Sequence, residues 1–241
     1  MAGEEQTRTH AERISRMFAS IAGRYDFLNR VLSLRRDVAW RRAGARALSF
    51  GHTNRFLDVA TGTADLAIDV LRAHPGVTAL GIDLVPELME IGRQKVGRLG
   101  MAARMSFMRG DALELPVADA SFDAAGIAFG IRNIPDREAA LREMVRAVVP
   151  GGQVLVIELS AYAQGPLRRA HRFYLSRVLP RIARAFTPEP DAYEYLSRSI
   201  LGFPSPEGFA ETMLAAGLEH VTFRPLTLGA AYMYIGRRPE A

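Results

Sequence analysis

The chain lacks cysteine altogether, and its 241 residues include one tryptophan, Trp40, and one lysine, Lys95. Without cysteine there can be no disulfide, thiolate–zinc site or cysteine nucleophile, and the composition fits a reducing compartment. No apolar run approaches the ~18 residues that a membrane span requires. The stretch from Met1 to Arg16 is polar and charged, without the apolar centre of a signal peptide. The sequence therefore reads as that of a soluble, cytoplasmic protein. Its five histidines are scattered, with no spacing suited to a metal or a catalytic triad, so no metal is expected. The net charge of +5 is carried almost wholly by arginine. Such one-sided usage reflects codon composition more than function. With no zinc-finger spacing, RNA-recognition signature or long basic block, no nucleic-acid partner is expected.

Glycine is scarce where a dinucleotide site would need it. The stretch Phe56-Leu-Asp-Val-Ala-Thr-Gly-Thr-Ala-Asp65 reads as a buried strand, a sharp turn at Gly62 and the start of a helix, with Thr63 or Asp65 available as its cap. Strand, turn and helix N-terminus form the usual seat for a nucleotide-like ligand in a doubly wound α/β fold. A pyrophosphate needs closely spaced glycines, whereas Gly62 is flanked by Ala60 and Ala64. Asp58 lies four positions before Gly62; its carboxylate would repel phosphate and attract a sulfonium or an ammonium. The bland alternative for Asp58 is a strand-end carboxylate that binds turn amides.

Two further acids follow the same placement. Asp83 closes the second strand, where a carboxylate can reach a ribose diol. Asp111, in Gly110-Asp111-Ala112, follows the third strand. Its carboxylate can accept from an adenine amino group while Ala112 leaves room for the ring; a plain turn residue is the alternative. Acids at the ends of three successive strands favour a cationic methyl donor over a nicotinamide dinucleotide.

Apolar residues make up 49% of the chain, ample for a core. From residue 51 the pattern alternates strand and helix, which argues for a mostly parallel sheet with helices on both faces. Strands are expected at 55–60, 77–83, 103–108, 122–129 and 153–159. Helices are expected at 64–73, 86–99 and 136–149, the last closed by Pro150-Gly151-Gly152. Ser205 should cap a helix over 206–216 that stops at Gly217. The last two strands, 218–225 and 230–237, are too close in sequence for a helical crossover and must pair antiparallel. Residues 1–50 read as an N-terminal helical cap. Residues 51–241 read as the catalytic domain with a helical insertion at about 163–202, the whole forming one structural unit. Trp40 is expected in the core.

A parallel sheet ending in an antiparallel hairpin resembles the seven-stranded class I S-adenosylmethionine-dependent methyltransferase fold, an α/β Rossmann-like architecture. Longer motifs resemble one family within it, the ubiquinone/menaquinone biosynthesis C-methyltransferases. These are Tyr25-Asp26-Phe27-Leu28-Asn29 with Leu32-Ser33 and Trp40, and Arg146 through Pro150-Gly151-Gly152 to Glu158-Leu159-Ser160. Phe129-Gly130-Ile131-Arg132-Asn133, Gly110 to Pro116, and Tyr193-Glu-Tyr195-Leu196 with Ser199-Ile200 and Phe203-Pro204 add to them. The likeness runs from Met17 to Arg237. It departs from the family pattern at Leu28, Asp37, Ala64, Ala128, Ala147, Val149 and Tyr234.

The resemblance implies S-adenosylmethionine as cofactor and methylation of a ring carbon of a polyprenylated quinol, demethylmenaquinol or the corresponding benzoquinol. By motif matching, Thr63, Asp83, Asp111 and Ala112 would contact the donor, beside Asp58 and Gly62. Arg132 would stabilise the phenolate, directly or through an oriented water, and Asn133 would position that water or the ring oxygen. For Arg132 the alternative is an ion pair with a neighbouring acid. Tyr25 and Asn29, in the helices that often cover the substrate in this fold, would meet the quinol. The basic amphipathic segment 166–186 is either a solvated face or a peripheral membrane contact for an apolar substrate. A methyltransferase of another small phenol or amine would share every cofactor feature. A nicotinamide-dependent oxidoreductase is disfavoured by the single glycine and by Asp58, and a silent donor-binding module by Arg132-Asn133.

Overall fold

The computed structural model describes residues 14–20, 22–23, 30, 33–163, 173, 177 and 190–240. Tyr25 and Asn29 lie outside the described residues, as does the segment 166–186 apart from Phe173 and Arg177.

Seven strands form one sheet: β1 (Arg55–Val59), β2 (Thr78–Asp83), β3 (Met105–Arg109), β4 (Phe122–Ala128), β5 (Val148–Leu159), β6 (Glu219–Leu226) and β7 (Ala231–Arg237). Their spatial order is β3-β2-β1-β4-β5-β7-β6. The first five are parallel, and β7 inserts antiparallel between β5 and β6. The order reverses between β1 and β4, so their carboxyl ends form the switch point where a crevice opens in this class of sheet. The described helices are α1 (Arg36–Ala47), α2 (Asp65–Ala73), α3 (Pro86–Arg98), α4 (Arg137–Ala147), α5 (Pro190–Leu201) and α6 (Pro206–Ala215), preceded by helical residues at 14–20 and 22–23.

Both faces of the sheet are covered. On one, Leu141 and Met144 of α4 and Phe209 and Met213 of α6 pack on Leu57, Ile127 and Val156. On the other, Trp40 of α1 and Leu66, Ala67, Val70 and Leu71 of α2 pack on Phe56, Ala124 and Leu155. With both faces buried, the centres of these strands are apolar: Phe56 and Leu57 in β1, Ala124 to Ala128 in β4 and Val154 to Ile157 in β5. Trp40 is indeed a core residue. Its indole N–H donates to Thr227 Oγ1 at 2.9 Å, and its ring lies 6.1 Å from that of Phe129.

Two local expectations fail. Helix α4 ends at Ala147 rather than Val149, and Pro150-Gly151-Gly152 lies inside β5 instead of closing the helix. Proline supplies no ladder N–H and Gly151 sits at φ +74°, so this stretch forms the irregularity where the β4–β5 register shifts. Neither Thr63 nor Asp65 caps α2. Ala64 is the N-cap residue, in the left-handed region at φ +64° and without a side-chain cap bond. Ser205 does cap α6, accepting from the Gly208 N–H at 3.1 Å, and Gly217 follows that helix at φ +94°.

Candidate active site

The acids expected at the strand ends converge on the switch point. Asp83, at the end of β2, accepts from the Gly62 N–H at 2.7 Å through Oδ2 and from the Val85 N–H at 2.9 Å through Oδ1. It thereby pins the turn after β1 to the turn after β2, and burial pushes its carboxyl above the ordinary range. Asp58 lies at the end of β1, fully buried. Its Oδ2 accepts from Thr61 Oγ1 at 2.7 Å and from the Ala67 N–H at 3.2 Å. The second bond satisfies one of the first amides of α2, so the strand supplies what a helix cap would have supplied. Burial outweighs both bonds and pushes the Asp58 carboxyl up to about 7. Asp111 is half-exposed after β3, and its Oδ1 accepts from the Leu113 N–H at 2.9 Å.

A cavity of about 870 Å³, its solvent-facing mouth included, lies over these strand ends. Gly62, Asp83, Asp111, Ala112, Phe129 and Asn133 all line it. So do Ile14 and Phe18 from the N-terminal helical residues. Phe18, Ala19 and Ala22 pack against Val85, Leu88 and Ile91, which brings this part of the chain over the cavity. Behind Gly62 and Phe129 the space continues into a smaller recess walled by Arg41, Asp58, Thr61, Thr63 and Asp65. Thr63 thus faces the recess rather than the main cavity, and its Oγ1 accepts from Lys95 Nζ at 2.8 Å.

The backbone around this crevice is held away from relaxed geometry. Ala60, Ala64 and Phe129 have φ of 51°, 64° and 60°. Each costs about 1–2 kcal/mol relative to a right-handed conformation, so the surrounding packing must enforce them. Glycine at 130 is required sterically, since a Cβ there would lie 2.9 Å from the Ala60 Cβ where the ends of β1 and β4 approach.

Arg132 follows β4 in a short 3-10 turn and is buried. Its guanidinium donates to Glu158 Oε1 at 2.7 Å and to the Phe129 carbonyl at 2.5 Å, while its backbone N–H donates to Glu158 Oε2 at 3.2 Å. The ion-pair alternative is the arrangement present, and Arg132 does not line the main cavity. It lines a second, more open one, of about 760 Å³ with its solvent-facing mouth included, together with Asn133, Arg137, Tyr195 and Arg198. Asn133 lines both cavities, and its Oδ1 accepts from the Tyr195 hydroxyl at 3.2 Å. The structure therefore brings together Asp58, Gly62, Thr63, Asp83, Asp111, Ala112 and Asn133, and sets Arg132 behind Asn133. Among the described residues, no group of three or more histidine, aspartate or glutamate side chains could hold a metal.

A model of the ubiE/COQ5 methyltransferase family matches residues 6–238. The chain belongs to that family. It is 44% identical over 234 residues to the demethylmenaquinone methyltransferase of Deinococcus radiodurans, covering 97% of this chain and 95% of that one. It is 41% identical over 228 residues to the ubiquinone/menaquinone biosynthesis C-methyltransferase UbiE of Geotalea daltonii, covering 94% and 97%. Among solved structures, it resembles an S-adenosylmethionine-dependent methyltransferase of Thermotoga maritima, described as a possible histamine N-methyltransferase. The TM-score is 0.65 at 19% identity, over 92% of this chain and 98% of that one. It equally resembles the [4+2]-cyclase SpnF, with a TM-score of 0.65 at 18% identity over 85% and 82%. At those identities the likeness concerns the fold, and a cyclase on the same fold shows that fold alone does not choose the reaction.

Sequence reasoning missed four residues of this family member's site. Glu158 stands only within a motif, and its signal is an acid at the end of a buried apolar strand, which needs a cation beside it. Tyr195 carried no spacing signal toward Asn133, 62 residues away. Arg41 was one of several arginines on a helix, and Phe18 one of several apolar residues.

Proposed function

We propose that this protein transfers a methyl group from S-adenosylmethionine to a ring carbon of a polyprenylated quinol, with demethylmenaquinol as its first substrate. The methyl donor is S-adenosylmethionine, which supplies an electrophilic methyl carbon on a positively charged sulfur. The residues present fit it. Asp83 lines the main cavity, where it would meet a ribose diol, Asp111 and Ala112 would meet an adenine edge, and the buried Asp58, on the wall of the recess, favours a ligand carrying positive charge.

The observation that carries the reading is the position of Asn133, at the join between the largely apolar donor cavity and the arginine-rich second cavity. A ring carbon becomes nucleophilic only when the neighbouring hydroxyl gives up its proton, so the site must favour a quinol anion. Arg137 and Arg198 on the second cavity provide that bias, the charge of Arg132 being balanced by Glu158. The Arg132 guanidinium is a donor, to Glu158 and to the Phe129 carbonyl, and is assigned no part as a base. Held by Glu158, it fixes the turn that presents Asn133, whose amide orients the ring oxygen while Tyr195 restrains the amide. Ile14, Phe18, Leu84, Val85, Leu88 and Ile134 exclude water from the reacting carbon and accept an apolar ring.

Both closely similar relatives are named for quinone biosynthesis, which supports a quinol over a small soluble phenol or amine. Among the described residues no helix is long and apolar enough to cross a membrane. A substrate dissolved in the bilayer would be reached through the arginine-rich segment 166–186 lying on an anionic surface. Flotation with anionic liposomes at low salt tests that contact, and failure to co-float removes it. Substrate class is tested by comparing turnover on a short-tailed demethylated naphthoquinol with turnover on catechol and histamine. Methylation of the quinol alone supports the proposal; equal or better turnover of the small molecules overturns it.

A further inference from the structure

The recess behind Gly62 contains a feature that donor binding at the adenosine end leaves unused. Arg41 reaches it from α1, whereas Asp83 and Asp111 line the main cavity. The side chain is about 95% buried, with 5% of the residue exposed. Its Nη1 donates to Asp37 Oδ2 at 2.9 Å, and Nη2 lies 3.0 Å from Asp65 Oδ2. Its Nε is buried and has no hydrogen-bond acceptor; the nearest ion-pair contact is Asp69 Oδ2, at 3.7 Å. A buried guanidinium N–H left without an acceptor is costly, and Arg41 walls the recess, so its guanidinium can offer a donor there to an anionic or carbonyl oxygen.

The recess opens into the main cavity along Ala60, Gly62, Ala128 and Phe129, which line both. A ligand with its adenosine against Asp83, Asp111 and Ala112 therefore extends its other end toward Arg41. For S-adenosylmethionine that end is an amino acid, with an α-ammonium and an α-carboxylate. The recess matches both charges: Asp58 and Asp65 stand on its walls for a cation, Arg41 for an anion. A phosphate would meet the two acids and be repelled, whereas a zwitterion is complementary. Asp65 can yield its place on the guanidinium, because its other oxygen is held by Lys95 Nζ at 2.7 Å.

We infer that Arg41 binds the α-carboxylate of the donor's methionyl arm and so makes the enzyme discriminate for donors and products that retain it. The inference rests on S-adenosylmethionine being the donor, and it assigns Arg41 a binding role, not a part in methyl transfer.

The test is calorimetric binding of S-adenosylhomocysteine, its decarboxylated analogue and 5′-methylthioadenosine to the full chain, as wild type, Arg41→Gln and Arg41→Lys. Wild type should bind S-adenosylhomocysteine about tenfold or more tightly than the decarboxylated analogue, the scale of a charge-assisted hydrogen bond. Arg41→Gln should erase that preference while leaving methylthioadenosine affinity unchanged, and Arg41→Lys should retain part of it. Methylthioadenosine affinity also reports whether the variant is folded. If wild type binds S-adenosylhomocysteine and the decarboxylated analogue equally, the inference is wrong without any variant. It is equally wrong if Arg41→Gln weakens both by the same factor. Should wild type bind none of the three, the donor assignment itself fails, a distinct outcome.

Discussion

Glu158, near the end of β5, holds Arg132 at two points, by its guanidinium at 2.7 Å and by its backbone N–H at 3.2 Å. The pair is almost wholly excluded from solvent. It ties the turn after β4 to β5 beside the crevice, and Asn133 is the next residue along that turn.

Breaking this pair should cost both stability and rate. Glu158→Ala leaves a buried guanidinium without its counter-ion, a loss of about 3–5 kcal/mol in chemical denaturation. The milder Glu158→Gln should fold and lower kcat while leaving the dissociation constant for S-adenosylhomocysteine unchanged, since neither residue lines the donor cavity. Titration calorimetry beside steady-state kinetics separates the two effects.

Tyr195→Phe removes one hydroxyl, which donates to Asn133 at 3.2 Å. A hydrogen bond of this kind contributes about 0.5–1.5 kcal/mol, so kcat/KM for the quinol should fall by up to about tenfold. Donor affinity and thermal stability should change little. A variant as active as wild type would show that Asn133 needs no such restraint.

If Asp58 meets the donor as proposed, donor binding should depend on pH. Burial raises its carboxyl to about 7, so near neutral pH the donor-free protein holds it partly protonated. A cationic donor favours the ionised form. Affinity for S-adenosylmethionine should therefore climb between pH 6 and 8, by up to about tenfold per unit below the pKa, and less steeply for S-adenosylhomocysteine, which carries one positive charge fewer. Calorimetry in buffers of different ionisation enthalpy would register the released proton.

The same shift acts on the fold with a definite sign. The folded-state value lies above the ordinary 3.8, so Asp58 favours folding fully below that pH and loses its contribution as pH rises through about 7. In donor-free protein, Asp58→Asn should raise Tm at pH 8 by at least about 2–4 °C, the scale of 1 kcal/mol in a chain this long. The gap should close toward pH 5.

Ala64 holds φ +64° where glycine would be unstrained. Ala64→Gly trades that strain against a more flexible unfolded chain and the loss of a fully buried methyl. Differential scanning calorimetry should find the variant within about 1 kcal/mol of wild type. A larger loss would mean that the methyl's packing governs the position.

The sheet was legible in the sequence because each β–turn–α unit signals itself locally, through an apolar run of strand length, a break and a 3.6-residue stripe. The end of α4 was not, since Pro150-Gly151-Gly152 marks a helix stop as well as it marks a strand irregularity; only pairing with β4 decides between them. Within the site, Asp58, Asp83 and Asp111 could be placed because strand ends in a parallel sheet share one edge. The partners of Arg132 and Asn133 could not be placed. Glu158 and Tyr195 reach them across 26 and 62 residues; a buried strand-end acid signals that Glu158 needs a cation, but nothing in the local pattern says which one, and nothing points Tyr195 to Asn133. Ala64 as cap residue was equally hidden, because the amide of Ala67 is satisfied by a carboxylate nine residues earlier.

Transfer to carbon is read from the position of the transferred methyl. The protein would be incubated with S-adenosylmethionine labelled with ¹³C at the methyl and a reduced, short-tailed demethylated naphthoquinol, and the product read by NMR. Quinol C-methylation predicts a single labelled methyl on the ring carbon, at the chemical shift of an aryl methyl. Label in a methoxy group, or no transfer from donor that calorimetry shows to be bound, would contradict it.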